Sequence, residues 1–167
     1  VGSEMCIRDR RESGQTALIV YSANAFTVAP LTTDTDTIAL LVNSLGTDIM
    51  PSRGSYPEVA IAKSRQLFEQ AKVGFGRVML ITDGGSSPAA SVAARDLKAA
   101  GYTLSILGVG TTEGAPIPRV AGGFVTDNRG EIAVPKLEER GLRTLASIGG
   151  GRYARISDDG RDLEQLL

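Results

Sequence analysis

The sequence contains no histidine, no tryptophan and one cysteine among 167 residues. Without histidine the chain lacks the commonest general base and the commonest transition-metal ligand, which excludes the usual form of a Ser-His-Asp hydrolase. Its single cysteine, Cys6, excludes an internal disulfide and a cysteine-rich zinc site. Basic and acidic residues are balanced, 18 against 19, so the basic footprint of a nucleic-acid-binding protein is missing and we expect no nucleic-acid partner.

Long apolar runs are also missing. No stretch approaches the roughly 18 residues of a membrane span, and the start has no secretory apolar segment, so these residues predict a soluble chain. Four Phe and four Tyr leave the core to aliphatic side chains. The length predicts one domain with a core of its own.

The first ten residues, VGSEMCIRDR, show neither helical nor strand periodicity. They resemble the translated adapter sequence that sometimes ends proteins predicted from short-read assemblies. We therefore expect residues 1–11 to be a non-native or disordered tail, to be excluded from fold reasoning, and residues 12–167 to be the domain.

From residue 16 the chain alternates strand-like and helix-like segments. Strands are predicted at 16–22, 25–29, 77–82, 102–109 and 152–156, and helices near 35–45, 56–72, 88–100, 142–148 and 159–167. Only a few residues separate the first two strands, so they are predicted to pair as an antiparallel hairpin, and the second strand is predicted to end at Pro30. The later strand–helix–strand units imply parallel pairing. Residues 122–134 predict a β-hairpin insertion around a polar turn.

The segment Arg77–Ile81, apolar from Val78 onward, ends on Thr82-Asp83-Gly84-Gly85, which is typical of a strand buried on both faces of a parallel sheet. Ligand sites in such sheets lie just beyond the carboxyl ends of the strands. Asp83 is therefore a candidate to meet a metal ion, a phosphate or a partner side chain. An ordinary turn would use the same residues.

Gly54 and Ser55 precede the second predicted helix, whose buried stripe is predicted at Val59, Ala62, Leu67 and Ala71. Ser55 could present its hydroxyl to a ligand at this helix start. It could also cap the helix, because Ser55 and Glu58 have the spacing of a capping box. The two roles are compatible.

An antiparallel hairpin strand, a helix opened by Gly54-Ser55, and strands ending in ITDG (81–84) and LGVG (107–110) together resemble a von Willebrand factor type A domain. The segments APLTTDTD (29–36), GAPIP (114–118) and GGGRY (149–153) resemble more narrowly its bacterial aerotolerance-operon (Bat-type) members. The resemblance covers about residues 14 to 167. It implies an α/β fold of Rossmann type, with a mostly parallel sheet, one antiparallel edge strand and helices on both faces.

The same resemblance implies a metal-ion-dependent adhesion site. Such a site holds Mg²⁺, or Mn²⁺ or Ca²⁺, with oxygen ligands from three loops, and a partner's carboxylate completes the coordination. Ser55 maps to the second loop and Asp83 to the third. Gly54, Tyr56, Gly84, Gly85 and Ser86 are the expected partner contacts.

The first loop of that site is an Asp-x-Ser-x-Ser motif, and this chain contains none. The family's first strand and helix are also absent, so we expect an incomplete N-terminus and weak or absent cation binding in this chain. In the family that strand lies between the strands at 16–22 and 77–82. Without it the two must pair directly or leave backbone groups unsatisfied.

We therefore expect a non-enzymatic, metal-dependent protein-interaction module that binds an acidic residue of a protein partner. The resemblance implies a membrane-anchored parent in a bacterial cell envelope. Two alternatives stay open at this point: a phosphoryl-transfer or phosphatase-like enzyme using Asp83, and a metal-free scaffold domain.

Overall fold

The computed structural model describes residues 14–45, 54–114, 116, 136–157 and 166, and the isolated positions 123, 124, 126, 130, 132 and 134. The strands are β1 (Thr16–Tyr21), β2 (Ala25–Thr32), β3 (Arg77–Thr82), β4 (Thr103–Gly108) and β5 (Gly150–Arg155). The helices are α1 (Thr35–Ser44), α2 (Pro57–Gln70), α3 (Pro88–Ala99) and α4 (Glu139–Ile148). The alternation of strands and helices that the sequence predicts is confirmed.

Strands β1 and β2 form the predicted antiparallel hairpin. The prediction that Pro30 ends the second strand is wrong, because β2 continues through it to Thr32. Among the described residues β2 pairs only with β1, so it is an edge strand. A proline is tolerated in an edge strand, because on the unpaired side no backbone N–H is needed for a ladder hydrogen bond. A register shift next to Ala29 shows that the ladder bends close to this point.

Strands β3, β4 and β5 form a parallel sheet in that order. Helix α3 connects β3 to β4, and α4 directly precedes β5, so these crossovers follow the strand–helix–strand pattern. The core lies between this sheet and its helices. Its largest fully buried side chains include Ile61, Leu97, Leu104, Ile106, Leu142 and Leu145.

The two sheets are not joined by a ladder in the part of the chain that the structure describes. β1 and β3 therefore do not pair directly, which was one of the two possibilities left by the missing strand. The prediction that β3 is buried on both faces is wrong in consequence, since Ile81 is 56% exposed. β1 is half-buried along its whole length.

Either Asp34 or Thr35 could cap helix α1 from its place in the sequence, and Asp34 does so: its carboxylate accepts a hydrogen bond from the Thr37 N–H at 3.0 Å. Ser87 precedes the predicted helix start at Pro88 and caps helix α3, because its hydroxyl accepts a hydrogen bond from the Ala90 N–H at 3.0 Å. None of the α1 residues is buried, and Leu40 is 71% exposed. Helix α1 therefore lies on the surface and buries none of its own side chains.

The capping box predicted at the start of α2 is wrong. The cap residue is Tyr56, and no side chain bonds the first turn. The Ser55 side chain instead bonds the Tyr21 hydroxyl, and Glu58 accepts from the Ser87 hydroxyl at 3.4 Å. The predicted stripe is rotated as well: Ala62 and Ala71 are exposed, and the buried residues are Pro57, Ala60, Ile61, Ser64 and Phe68.

Among the positions described in the predicted insertion, Thr126 and Ile132 form an antiparallel bridge, which agrees with the predicted pairing. The predicted tail at 1–11 lies outside the described residues. So does the predicted helix at 159–167, apart from Leu166, which is buried. Within the described residues, no helix combines the length and the apolarity that a membrane crossing needs.

Candidate metal and partner-binding site

The candidate ligands lie on two loops that meet at the carboxyl ends of β1 and β3. Ser55 lies in the loop that leads into α2, and Asp83 directly follows β3. Both residues are exposed. This is the edge at which α/β sheets bind ligands, because loops from neighbouring strands converge there.

Tyr21, at the end of β1, connects the two loops. Its hydroxyl shares hydrogen bonds with the side chains of Thr82 and Ser55. Burial raises the pKa of Tyr21 above its ordinary value, these two hydrogen bonds oppose that rise, and the negative charges of Asp83 and Glu58 add to it. The phenol is therefore neutral at physiological pH, and its hydroxyl lies beside side chains of both loops.

Backbone packing also holds the loops together. Gly85 has a φ of +94°, and a Cβ at this position would lie 2.8 Å from Pro57 Cδ and 3.4 Å from the Ser55 carbonyl oxygen. The loop after β3 thus lies against the start of α2 at a distance that only glycine permits. The Tyr56 N–H donates to the Ser22 carbonyl at 3.1 Å, which fixes the other loop to the end of β1.

Glu138, at the start of α4, clamps the loop that follows β3. Its carboxylate accepts hydrogen bonds from the Gly85 N–H at 3.0 Å, the Ser86 N–H at 3.2 Å and the Ser86 hydroxyl at 2.5 Å. The Glu138 N–H donates to the Asp83 carbonyl at 3.0 Å. The Ser86 hydroxyl bond is the main cause of a pKa of Glu138 below its ordinary value, and the two backbone bonds contribute to it.

The structure brings the two predicted loops close together where Gly85 lies against Pro57 and the Ser55 carbonyl. Gly54, Ser55 and Tyr56 belong to the loop before α2, and Asp83, Gly84, Gly85 and Ser86 belong to the loop after β3. Sequence reasoning missed Tyr21 and Glu138. Tyr21 could have been found as the last residue of a strand adjoining the site, whereas Glu138 lies 52 residues from Ser86 and carries no local signal.

The candidate donor atoms are of the type that a hard cation prefers, but the described residues supply few of them. A carboxylate, a hydroxyl and backbone carbonyls are the oxygen ligands that Mg²⁺ and Ca²⁺ prefer. However, the described residues contain no group of three or more His, Cys, Asp or Glu placed to hold a metal ion. The assignment of Ser55 and Asp83 as ligands stays a prediction.

Comparison with known proteins gives one family. The model of the von Willebrand factor type A domain matches residues 5–167. A search of curated proteins gives no match.

Solved structures of similar fold include an aerotolerance-related membrane protein from Bacteroides fragilis, carrying multiple mutations to serine. It is 26% identical with a TM-score of 0.88, and the match covers 96% of this chain and 80% of that one. The conserved hypothetical protein BatB from Bacteroides thetaiotaomicron is 28% identical with a TM-score of 0.78, covering 96% and 83%. A von Willebrand factor type A protein from Catenulispora acidiphila, 17% identical with a TM-score of 0.64 and covering 98% and 35%, shares the fold.

Proposed function

The chain belongs to the von Willebrand factor type A family, and we propose that its domain binds an acidic segment of a protein partner through a divalent cation held by Ser55 and Asp83. One observation carries the proposal. The loops bearing these two oxygen donors, far apart in sequence, meet around the Tyr21 hydroxyl at the ligand-binding edge of the fold.

Each residue has a distinct task in this proposal. Asp83 supplies the negative charge that attracts the cation, and Ser55 supplies a neutral oxygen. Tyr21 orients the Ser55 hydroxyl through its hydrogen bond. Glu138 holds the loop of Asp83 through the Asp83 carbonyl and the amides of Gly85 and Ser86. The bound cation would supply the positive charge that a partner's carboxylate recognises.

The proposal includes weak cation binding by this chain. Asp83 is the one carboxylate of the predicted ligand pair, and the sequence contains no Asp-x-Ser-x-Ser segment to add donors. A divalent ion loses much of its hydration on binding, so few protein ligands give low affinity. The partner contacts are proposed to be Gly54, Tyr56, Gly84, Gly85 and Ser86.

We place the parent protein at a bacterial cell membrane by analogy. Support comes from the Bacteroides fragilis structure, which is described as an aerotolerance-related membrane protein. An interaction domain of such a protein would present its cation site to a neighbouring envelope protein.

The cation itself is the probe for the first test. Mn²⁺ titrated into the full chain and followed by electron paramagnetic resonance should show one saturable site of millimolar affinity. Asp83→Asn should abolish saturation and Ser55→Ala should weaken it, while Asp96→Asn, an exposed acid on α3, should leave it unchanged. Equal binding by the Asp83 and Asp96 variants would contradict the assignment.

A second measurement separates the function classes. Retention of the chain on an immobilised acidic peptide should depend on Mg²⁺ and be lost in EDTA. Turnover of p-nitrophenyl phosphate that disappears in Asp83→Asn would instead support the enzyme alternative.

A further inference from the structure

Two apolar side chains are exposed at the carboxyl edge of the parallel sheet, beside the candidate cation site. Val109 directly follows β4 and is 36% exposed, and Ile156 directly follows β5 and is 48% exposed. We call these two residues the edge patch. Because open α/β sheets bind ligands at this edge, the edge patch lies where a partner would meet it.

Backbone hydrogen bonds join the edge patch to the strand that precedes Asp83. The Val109 N–H donates to the Thr82 carbonyl at 2.9 Å, and the Ile156 N–H donates to the Gly108 carbonyl at 2.9 Å. The strand order is β3-β4-β5. Asp83, Val109 and Ile156 therefore follow one another across the edge.

Sheet geometry gives the spacing of these three positions. Neighbouring strands lie about 4.8 Å apart, so Val109 is about 4.8 Å and Ile156 about 10 Å across the edge from Asp83. In an extended segment, side chains two residues apart point the same way and lie about 6.6 Å apart. A partner residue two positions from the one that meets the cation would therefore lie between Val109 and Ile156 and contact both.

The connection between β4 and α4 returns to the same edge. The Leu137 N–H donates to the Thr111 carbonyl at 2.9 Å, which holds the two ends of this connection together. Three large apolar side chains at its described positions are exposed: Phe124, Ile132 and Val134. More apolar surface is thus available to the residues that follow in a bound segment.

We propose that the edge patch selects a partner segment with an apolar residue two positions before or after the acidic residue that meets the cation. The inference rests on the proposed function and specifies the sequence that such a site would recognise. Arg155 directly precedes Ile156 and is exposed, and its positive charge favours an acidic segment.

The test compares three peptides in identical flanks, titrated into the isotopically labelled full chain with Mg²⁺ and followed by nuclear magnetic resonance. Their central sequences are Asp-Gly-Leu, Asp-Gly-Ser and Asp-Leu-Gly. The Asp-Gly-Leu peptide should bind about threefold to tenfold more tightly than the other two, because part of its leucine side chain leaves water. It should also shift the amide signals of Val109 and Ile156.

Matched variants locate the gain from leucine. Ile156→Ser should remove most of it. Val42→Ser should not change it, because Val42 is equally exposed, at 48%, but lies on α1, which contacts β1 and β2. If Ile156→Ser fails to fold, as judged by circular dichroism, Val109→Thr should reduce the gain with little change in side-chain size. Every variant should bind the Asp-Gly-Ser peptide like the wild type.

The possible failures can be distinguished. Mg²⁺-dependent binding of all three peptides with equal affinity would overturn the edge patch and leave the proposed function intact. No Mg²⁺-dependent binding of any peptide would refute the proposed function, and this inference with it. Equal effects of Ile156→Ser and Val42→Ser would also overturn the edge patch. So would self-association, measured by sedimentation, that Ile156→Ser abolishes, because a second copy would then cover these residues.

Discussion

Replacing Glu138 with alanine tests whether the clamp on the loop of Asp83 contributes to stability. The change removes three hydrogen bonds, two from the amides of Gly85 and Ser86 and one from the Ser86 hydroxyl. Because Glu138 is exposed, water can replace part of what is lost. The closest analogy is the loss of a helix N-cap, which costs about 0.5–2 kcal/mol.

We therefore expect Glu138→Ala to lower the free energy of unfolding by about 1 kcal/mol. In a domain of this size that corresponds to a fall of about 2–4 °C in the melting temperature. Urea unfolding followed by circular dichroism gives the free energy, and a thermal melt gives the temperature. The slope of the urea transition should not change, because the surface exposed on unfolding is the same.

Glu139 provides the control. It neighbours Glu138 but forms a surface ion pair with Arg143 at 2.7 Å, and such a pair contributes about 0.3–0.5 kcal/mol. Glu139→Ala should therefore cost less than Glu138→Ala. A double-mutant cycle of Glu138→Ala with Ser86→Ala should give a coupling energy of at least about 0.5 kcal/mol. Equal losses at Glu138 and Glu139, with no coupling to Ser86, would refute the clamp.

Three further changes have defined outcomes. Gly151→Ala should prevent folding or destabilise the domain by more than about 3 kcal/mol, because the added Cβ would collide with the Leu104 carbonyl oxygen. Gly74→Ala should be tolerated, since there is open space around Gly74. Expression and circular dichroism measure both outcomes. Ile61→Ala, at a fully buried position, should cost about 2–5 kcal/mol in urea unfolding. The lowered pKa of Glu138 means that its carboxylate stabilises the fold above its ordinary value of 4.5 and that this contribution is lost as the pH falls through the folded-state pKa. The stability difference between the wild type and Glu138→Gln should accordingly be constant at neutral pH and narrow as the pH falls below 4.5.

Features set by neighbouring residues could be predicted from the sequence. The side chains of Asp34 and Ser87 each accept a hydrogen bond from a backbone N–H three residues further along the chain. Asp83 directly follows an apolar run, at the carboxyl end of strand β3. Short-range chemistry of this kind is visible in the chain itself.

Features set by distant residues could not be predicted. Ser55 has the sequence spacing of a helix cap, but its side chain interacts with the Tyr21 hydroxyl instead. Tyr21 is distant in sequence, and only the folded structure brings the two residues together. Glu138 approaches Ser86 across 52 residues. The apolar run of β3 predicts burial on the assumption that a strand pairs on each side of it, whereas in the described residues β3 pairs with β4 alone and Ile81 lines the open space beside β1.

The separation of the two sheets bears on how the domain comes apart. Helix α2 contacts β1, β2 and β3, so among the described elements it connects the two-stranded hairpin to the larger helix-covered sheet. A hairpin alone is marginally stable in water, and weakly attached units open below the global unfolding free energy. The hairpin with α1 should therefore loosen first, and the chain should depart from all-or-none unfolding.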